Sequence, residues 1–151
     1  MAETFKIYKG ATMVKEGVSP LAITGIAPNT AVAKGDYQAV RVLDGKESAK
    51  VDIPAFTTLP ISVTGVTLTP KTSSAESGTA ASRQLAAAVA PANATNKAVT
   101  YSIAPTTAGL SVSATGLIEW DDSVADGVYT TTVTTTDGNH TDTHVLTLTT
   151  P

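Results

Sequence analysis

Short alternating runs closed by turn residues cover almost the whole chain. In TFKIYK (4–9), Phe5 and Ile7 fall on one side, which is the period of a strand. Gly10-Ala11-Thr12 turns the chain, and Met13 and Val14 begin a return strand that ends near Gly17, before the break at Ser19-Pro20. Leu21 to Thr24 predicts a third strand, followed by a turn-rich loop over 25–30. YQAVRVL (37–43) sets Tyr37, Ala39 and Arg41 against Gln38, Val40 and Val42. Asp44-Gly45 is a hairpin signal. Lys50 to Ile53 reads as the partner strand, limited by Pro54. Phe56 to Pro60 has no clear period and reads as a connection.

The pattern then resumes. Ile61 to Leu68 predicts a strand with Val66 and Leu68 on one face, ended by Pro70. Ser73 to Ala81 is small and polar and predicts a loop. Gln84 to Val89 predicts a strand with Leu85, Ala87 and Val89 in phase. Its alanines favour helix locally, but Pro91 and the flanking Ser and Gly leave little room for one. Residues 91–97 predict a turn, and Val99, Tyr101 and Ile103 an inward strand face. Leu110 to Val112 and Leu117 to Trp120 predict two more strands about the Thr115-Gly116 turn. Asp121 to Gly127 predicts an acidic loop. Val128 to Thr136 and His140 to Thr149 predict a final hairpin across Asp137-Gly138. About seven short strands at this spacing predict a β-sandwich.

Composition changes this picture in three ways. Hydrophobic residues make up 42% of the 151 residues but aromatics only 5%, so the core must be aliphatic and built around Thr-rich pleated surfaces. The net charge of −3 is uneven: 1–60 holds seven basic and six acidic residues, and 61–151 three and seven. That shift supports two modules and argues against nucleic-acid binding. Cysteine is absent, which removes disulfides and cysteine-based zinc sites. Lys6 and Lys9 interrupt the place of a secretory apolar run, and no apolar stretch has the length of a membrane span. The expectation is a protein made in the cytoplasm without a signal peptide, which stays there or leaves by another route, with no membrane partner.

The residues of 63–149 resemble a bacterial Ig-like domain of group 2. The carrying motifs are Val66-Thr67-Leu68-Thr69-Pro70, Gly78, the strand Leu85 to Val89, the run Pro91 to Tyr101, the step Val112, Gly116, Ile118, and the Thr-rich hairpin Val128 to Leu148. Tyr101 stands where that family has Trp. The loop Ala104 to Gly109 and the segment Trp120-Asp121-Asp122 depart from the pattern. Residues 1–57 resemble the later part of a fibronectin type III domain, through FKIYKG, 21–30 and YQAVRVLDGKESAKV, with the early strands missing. The resemblance implies an all-β chain of two small antiparallel β-sandwich modules in tandem. Their bounds are 1–57 for docking and oligomerisation, 58–62 as linker, and 63–151 as the Ig-like sandwich.

Small chains of this make-up resemble tailed-bacteriophage virion proteins. The resemblance implies an accessory capsid decoration protein on the virion surface, with a tail-tube accessory protein or a glycan-binding adhesion module as alternatives. Implied partners are a major capsid or tail-tube protein, further copies of the chain in a homo-oligomer such as a trimer, and a weakly bound host-surface glycan. Exposed edge strands at Lys6, Ile7, Tyr8 and at Lys50, Val51, Ile53 are the candidate docking elements, since free strand edges pair with other chains.

Candidate chemistry is sparse. His140, Asp142 and His144 share a strand face, but strand rise sets the two His Cα atoms roughly 13 Å apart. Metal–ligand bonds of about 2 Å cannot span that, so the reading kept is a rim-of-core or solvated position. Asp121, Asp122 and Asp126 match no defined calcium loop and read as solvated. Tyr101 and Tyr129 read as core. Trp120 is left as the one candidate exposed aromatic, which with Asp121 and Asp122 would contact a glycan; packing in a core or interface is the reading preferred over it. No nucleophile–base set, phosphate loop or cofactor motif appears, so neither an enzyme nor a cofactor is expected.

Overall fold

The computed structural model describes residues 3–150. The chain is all-β and divides into two compact units, Met1–Pro60 and Ile61–Pro151.

Unit 1 is built on the alternation of its first and fourth strands. β1 (Thr4–Lys9), β2 (Thr12–Gly17), β3 (Ala31–Val32), β4 (Tyr37–Leu43), β5 (Lys46–Glu47), β6 (Val51–Asp52) and β7 (Phe56–Thr57) follow in order. The main sheet runs β2-β1-β4-β5, with β6 also paired to β4. The β4–β5 turn has Asp44 and Gly45 both at positive φ, 49° and 75°, the conformation a two-residue hairpin of this twist requires. Ile7 lies opposite Ala39 in the β1–β4 register. That face packs on Val32 of β3 and Phe56 of β7, with Leu21, Ile23, Ile26 and Ile53 around them. The second layer is therefore a two-residue ladder, β3 with β7, plus unpaired chain.

Two expectations change here. Leu21 to Thr24 makes no strand; its apolar side chains reach the core but its backbone has no partner. Residues 58–62 are not a free linker. Thr58 Oγ1 donates to Ala27 O (2.7 Å) and accepts from Thr30 N (2.9 Å), while Ile61 N donates to Thr95 Oγ1 (2.8 Å). Hydrogen bonds thus tie Thr58 into unit 1 and Ile61 into unit 2.

Unit 2 is an Ig-like β-sandwich. Its strands are β8 (Gly65–Thr69), β9 (Thr72–Glu76), β10 (Ala81–Gln84), β11 (Ala86–Ala90), β12 (Val99–Ala104), β13 (Leu110–Val112), β14 (Leu117–Trp120), β15 (Gly127–Thr135) and β16 (Thr141–Thr149). One layer runs β12-β15-β16-β9. The other joins β10-β14-β13 to β11-β8 through the run 81–90, whose first half pairs with β14 and whose second half pairs with β8. Leu85 sits at the changeover, buried, its N–H bonded to Gly116 O. The core between the layers holds Leu68, Leu85, Ile118, Trp120, Tyr129, Val133, Leu146 and Leu148. Tyr101 covers Gly116 so closely that a Cβ there would lie 2.9 Å from the ring, and Gly116 has φ +79°, so glycine is required on both counts.

The loop expected over 73–81 is partly a strand. Thr72 to Glu76 pairs in parallel with Val145 to Thr149, the one parallel ladder among the described strands. Its small polar residues carry no hydrophobic signal; a partner about seventy residues away creates the strand.

Candidate docking surface

In unit 1 the predicted edge residues are brought together, but on a sheet face. Lys6 and Tyr8 point the same way from β1 by strand alternation. Lys6 Nζ donates to Glu47 Oε1 at 2.8 Å and Tyr8 Oη to the same atom at 3.0 Å. Lys50 Nζ lies 4.4 Å from the centroid of the Tyr8 ring and donates to Gly10 O at 3.1 Å. The Lys6 and Tyr8 hydrogen bonds hold the Glu47 carboxyl below the usual range, and the same bonds to Glu47 raise Lys6 and Tyr8. Opposite charges are matched within this face, which leaves little for a partner to neutralise.

Three of the predicted edge residues are not at an edge. β1 pairs with β2 on one side and β4 on the other, so Lys6, Ile7 and Tyr8 offer no free backbone, and Ile7 is buried. The reason is long-range: β4 closes the side of β1 that the sequence left open. Ile53 turns into the core, with its N–H on Tyr37 O and its carbonyl accepting from Gly35 N. Val51 alone of the predicted set is an open apolar side chain, 65% exposed.

The sheet has two free edges: the β5 and β6 side, where the predicted Val51 lies, and β2, which the sequence reading passed over. β2 pairs only with β1, and Met13, Val14 and the following Val18 are exposed. Of the large apolar side chains exposed among the described residues, Met13, Val14, Val18, Leu43, Val51 and Leu59 belong to unit 1, and Val128 alone to unit 2. Exposed apolar surface is therefore concentrated in unit 1 among the described residues.

Unit 2 disposes of its polar candidates internally. Trp120 is 3% exposed and packs in the core, so its ring cannot stack on a sugar. The indication was in the sequence: Ile118 and Trp120 share a face of β14, and both are buried. Asp121 accepts from Ser123 N (2.9 Å) and Ser123 Oγ (2.6 Å), which lowers its carboxyl. Asp126 is lowered by hydrogen bonds from Ser77 and Thr150. Asp122 is exposed. The three carboxylates thus do not converge, and no metal-binding group of three such residues is found among the described residues.

His140, Asp142 and His144 part company along the last hairpin. His144 is fully buried, neither rim nor solvated. Its Nδ1 lies 2.8 Å from Pro70 O and its Nε2 2.9 Å from Ser73 Oγ. A carbonyl only accepts, so Nδ1 carries the proton and Nε2 accepts from the Ser73 hydroxyl. His140 Nε2 donates to Val63 O at 3.1 Å. Asp142 accepts from Leu68 N at 2.6 Å and pairs with Lys71. The Lys71 hydrogen bond, then the Leu68 amide, hold its pKa down to about 2. Asp137, read only as a turn residue, accepts from Val63 N at 2.9 Å. The final hairpin therefore clamps residues 63–68 with three polar side chains, and a structural role accounts for each.

The family model described as "Putative Ig domain" matches residues 60–151. The chain is also similar to an Ig-like virion protein of Serratia phage KSP90, 40% identical over 119 residues. That match covers 78% of this chain, more than residues 61–151 can supply, so it extends into unit 1; the chain spans 43% of the relative's length. Among solved structures, the fibronectin(III)-like modules of Clostridium thermocellum CbhA align over 97% of this chain and 78% of theirs, at 17% identity and a TM-score of 0.36. The titin domains Z1Z2 align over 97% and 80%, at 9% identity and a TM-score of 0.45.

Proposed function

From the premise that the chain belongs to the "Putative Ig domain" family through residues 60–151, we propose that it is a structural protein of a bacteriophage particle. In this reading it is an accessory capsid decoration protein on the virion surface, docked by unit 1 and projecting unit 2. The observation that carries it is the 40% identity to an Ig-like virion protein, which continues beyond the Ig-like unit into unit 1. Similarity confined to the Ig-like unit would say little, because that fold serves many functions. The distribution of exposed apolar side chains supports unit 1 as the docking end. The capsid protein is the proposed partner.

Quantitative mass spectrometry of purified particles, with heads and tails separated, tests this. The expected result is the chain in the head fraction in regular proportion to the major capsid protein. Recovery with tails alone would overturn the decoration role. Absence from both fractions would overturn the virion role.

A further inference from the structure

Unit 1 contains a stretch that has the side chains of a strand and the backbone of an unfinished one. Leu21 and Ile23 are half-buried and packed in the core, while Ala22 and Thr24 are exposed. The chain runs from Leu21 to Ala27 without a turn or bend. Yet no backbone N–H or carbonyl of residues 18–26 makes a hydrogen bond among the described residues. Every neighbouring element has its ladder; this one, anchored by its side chains, has none. A fixed row of unpaired backbone groups is a template for an incoming strand.

Two hollows lie alongside. One, of about 180 Å³, is lined by Phe5, Ile7, Ser19, Leu21 and Ala39, with more apolar than polar surface. The other, of about 60 Å³, is lined by Val14, Lys15, Ala22, Ile23, Thr24 and Tyr37. An apolar side chain from a partner would fill the first. Lys15 lines the smaller hollow, lies opposite Ile7 of the larger one in the β1–β2 register, and has no carboxylate partner among the described residues. Its ammonium favours an acidic residue on whatever binds there.

We propose that residues 21–24 accept a β-strand from another polypeptide of the particle, an extended segment that presents an apolar side chain to the 180 Å³ hollow and a carboxylate to Lys15. Together with residues 21–24 the strand would form a second ladder beside the β3–β7 ladder, the one ladder of the second layer. This names the chemistry of the partner in the docking reading and rests on that reading only for who supplies the strand.

Amide hydrogen exchange on the full chain tests it, with a short synthetic peptide alternating valine with threonine and glutamate as the probe. In the free chain the amides of Ala22, Ile23 and Thr24 should exchange at least ~100-fold faster than those of Ile7 and Val40, because unpaired amides open at almost no cost. Adding the peptide at millimolar concentration should slow them about tenfold or more. The same peptide N-methylated on alternate residues should not, and Lys15→Glu should weaken the effect. Slow exchange of these amides in the free chain would overturn the proposal. So would protection confined to Thr12–Gly17, or none anywhere. Protection by the peptide in a chain that is missing from particles would remove the virion role and leave the strand acceptor standing.

Discussion

Trp120→Ala is expected to destabilise unit 2 by about 3–5 kcal/mol, the cost typical of deleting a large aromatic from a packed core. Trp120 is 3% exposed and belongs to the same cluster as Leu68, Leu110, Ile118 and Val124. Trp120 is itself paired on both sides, with Ala81 across one ladder and Leu110 across the other, so the sheet cannot easily close over the void. The indole Nε1 has no hydrogen-bond partner. Trp120→Phe therefore removes volume without orphaning an acceptor, and should cost only about 1–2 kcal/mol. Urea unfolding followed by circular dichroism reads both values. An alanine variant within about 1 kcal/mol of the parent would mean that the ring does not carry the core.

His144→Ala carries the second large effect, expected at about 3–4 kcal/mol from lost packing and two abandoned polar groups. The imidazole is fully buried and bridges Pro70 O and Ser73 Oγ, on the two sides of the Pro70–Ser73 turn into β9. Removing it leaves the Pro70 carbonyl and the Ser73 hydroxyl without their partner. Ser73 is only half-buried, so water recovers part of that loss. Because β9 exists only by its parallel pairing to β16, the damage should be local as well as global. Amide protection across Thr72–Glu76 should fall more than across β12 or β15. A variant that unfolds at the parent's urea midpoint would contradict the bridging role.

These two side chains show where the sequence was legible. Alternation set the inward faces of β15 and β16 correctly, down to Tyr129, Val133, Leu146 and Leu148. It also placed His144 on the Leu146 face, but hydropathy alone argued for the rim, because the two acceptors that make burial tolerable come from residues 70 and 73. For Trp120 the preferred reading, packing in a core or interface, agrees with its burial, and the glycan alternative falls; the period from Ile118 pointed the same way. Strand order was the main thing hidden. Whether β1 is central or at an edge depends on β4, thirty residues later, and β9 depends on β16. Pairings of that range leave no local mark. Among the docking candidates, Lys6, Ile7 and Tyr8 were chosen for an edge that β4 occupies, whereas Val51 does lie at one free edge, and Met13 and Val14 hold the other.

A density map of the particle with this chain bound tests docking through unit 1, because unit 1 and unit 2 differ in strand number and in size and can be told apart at moderate resolution. The expected result is unit 1 against the capsid shell, with added density along residues 21–24, and unit 2 projecting free of the shell. Unit 2 seated on the shell with unit 1 in solvent would contradict it.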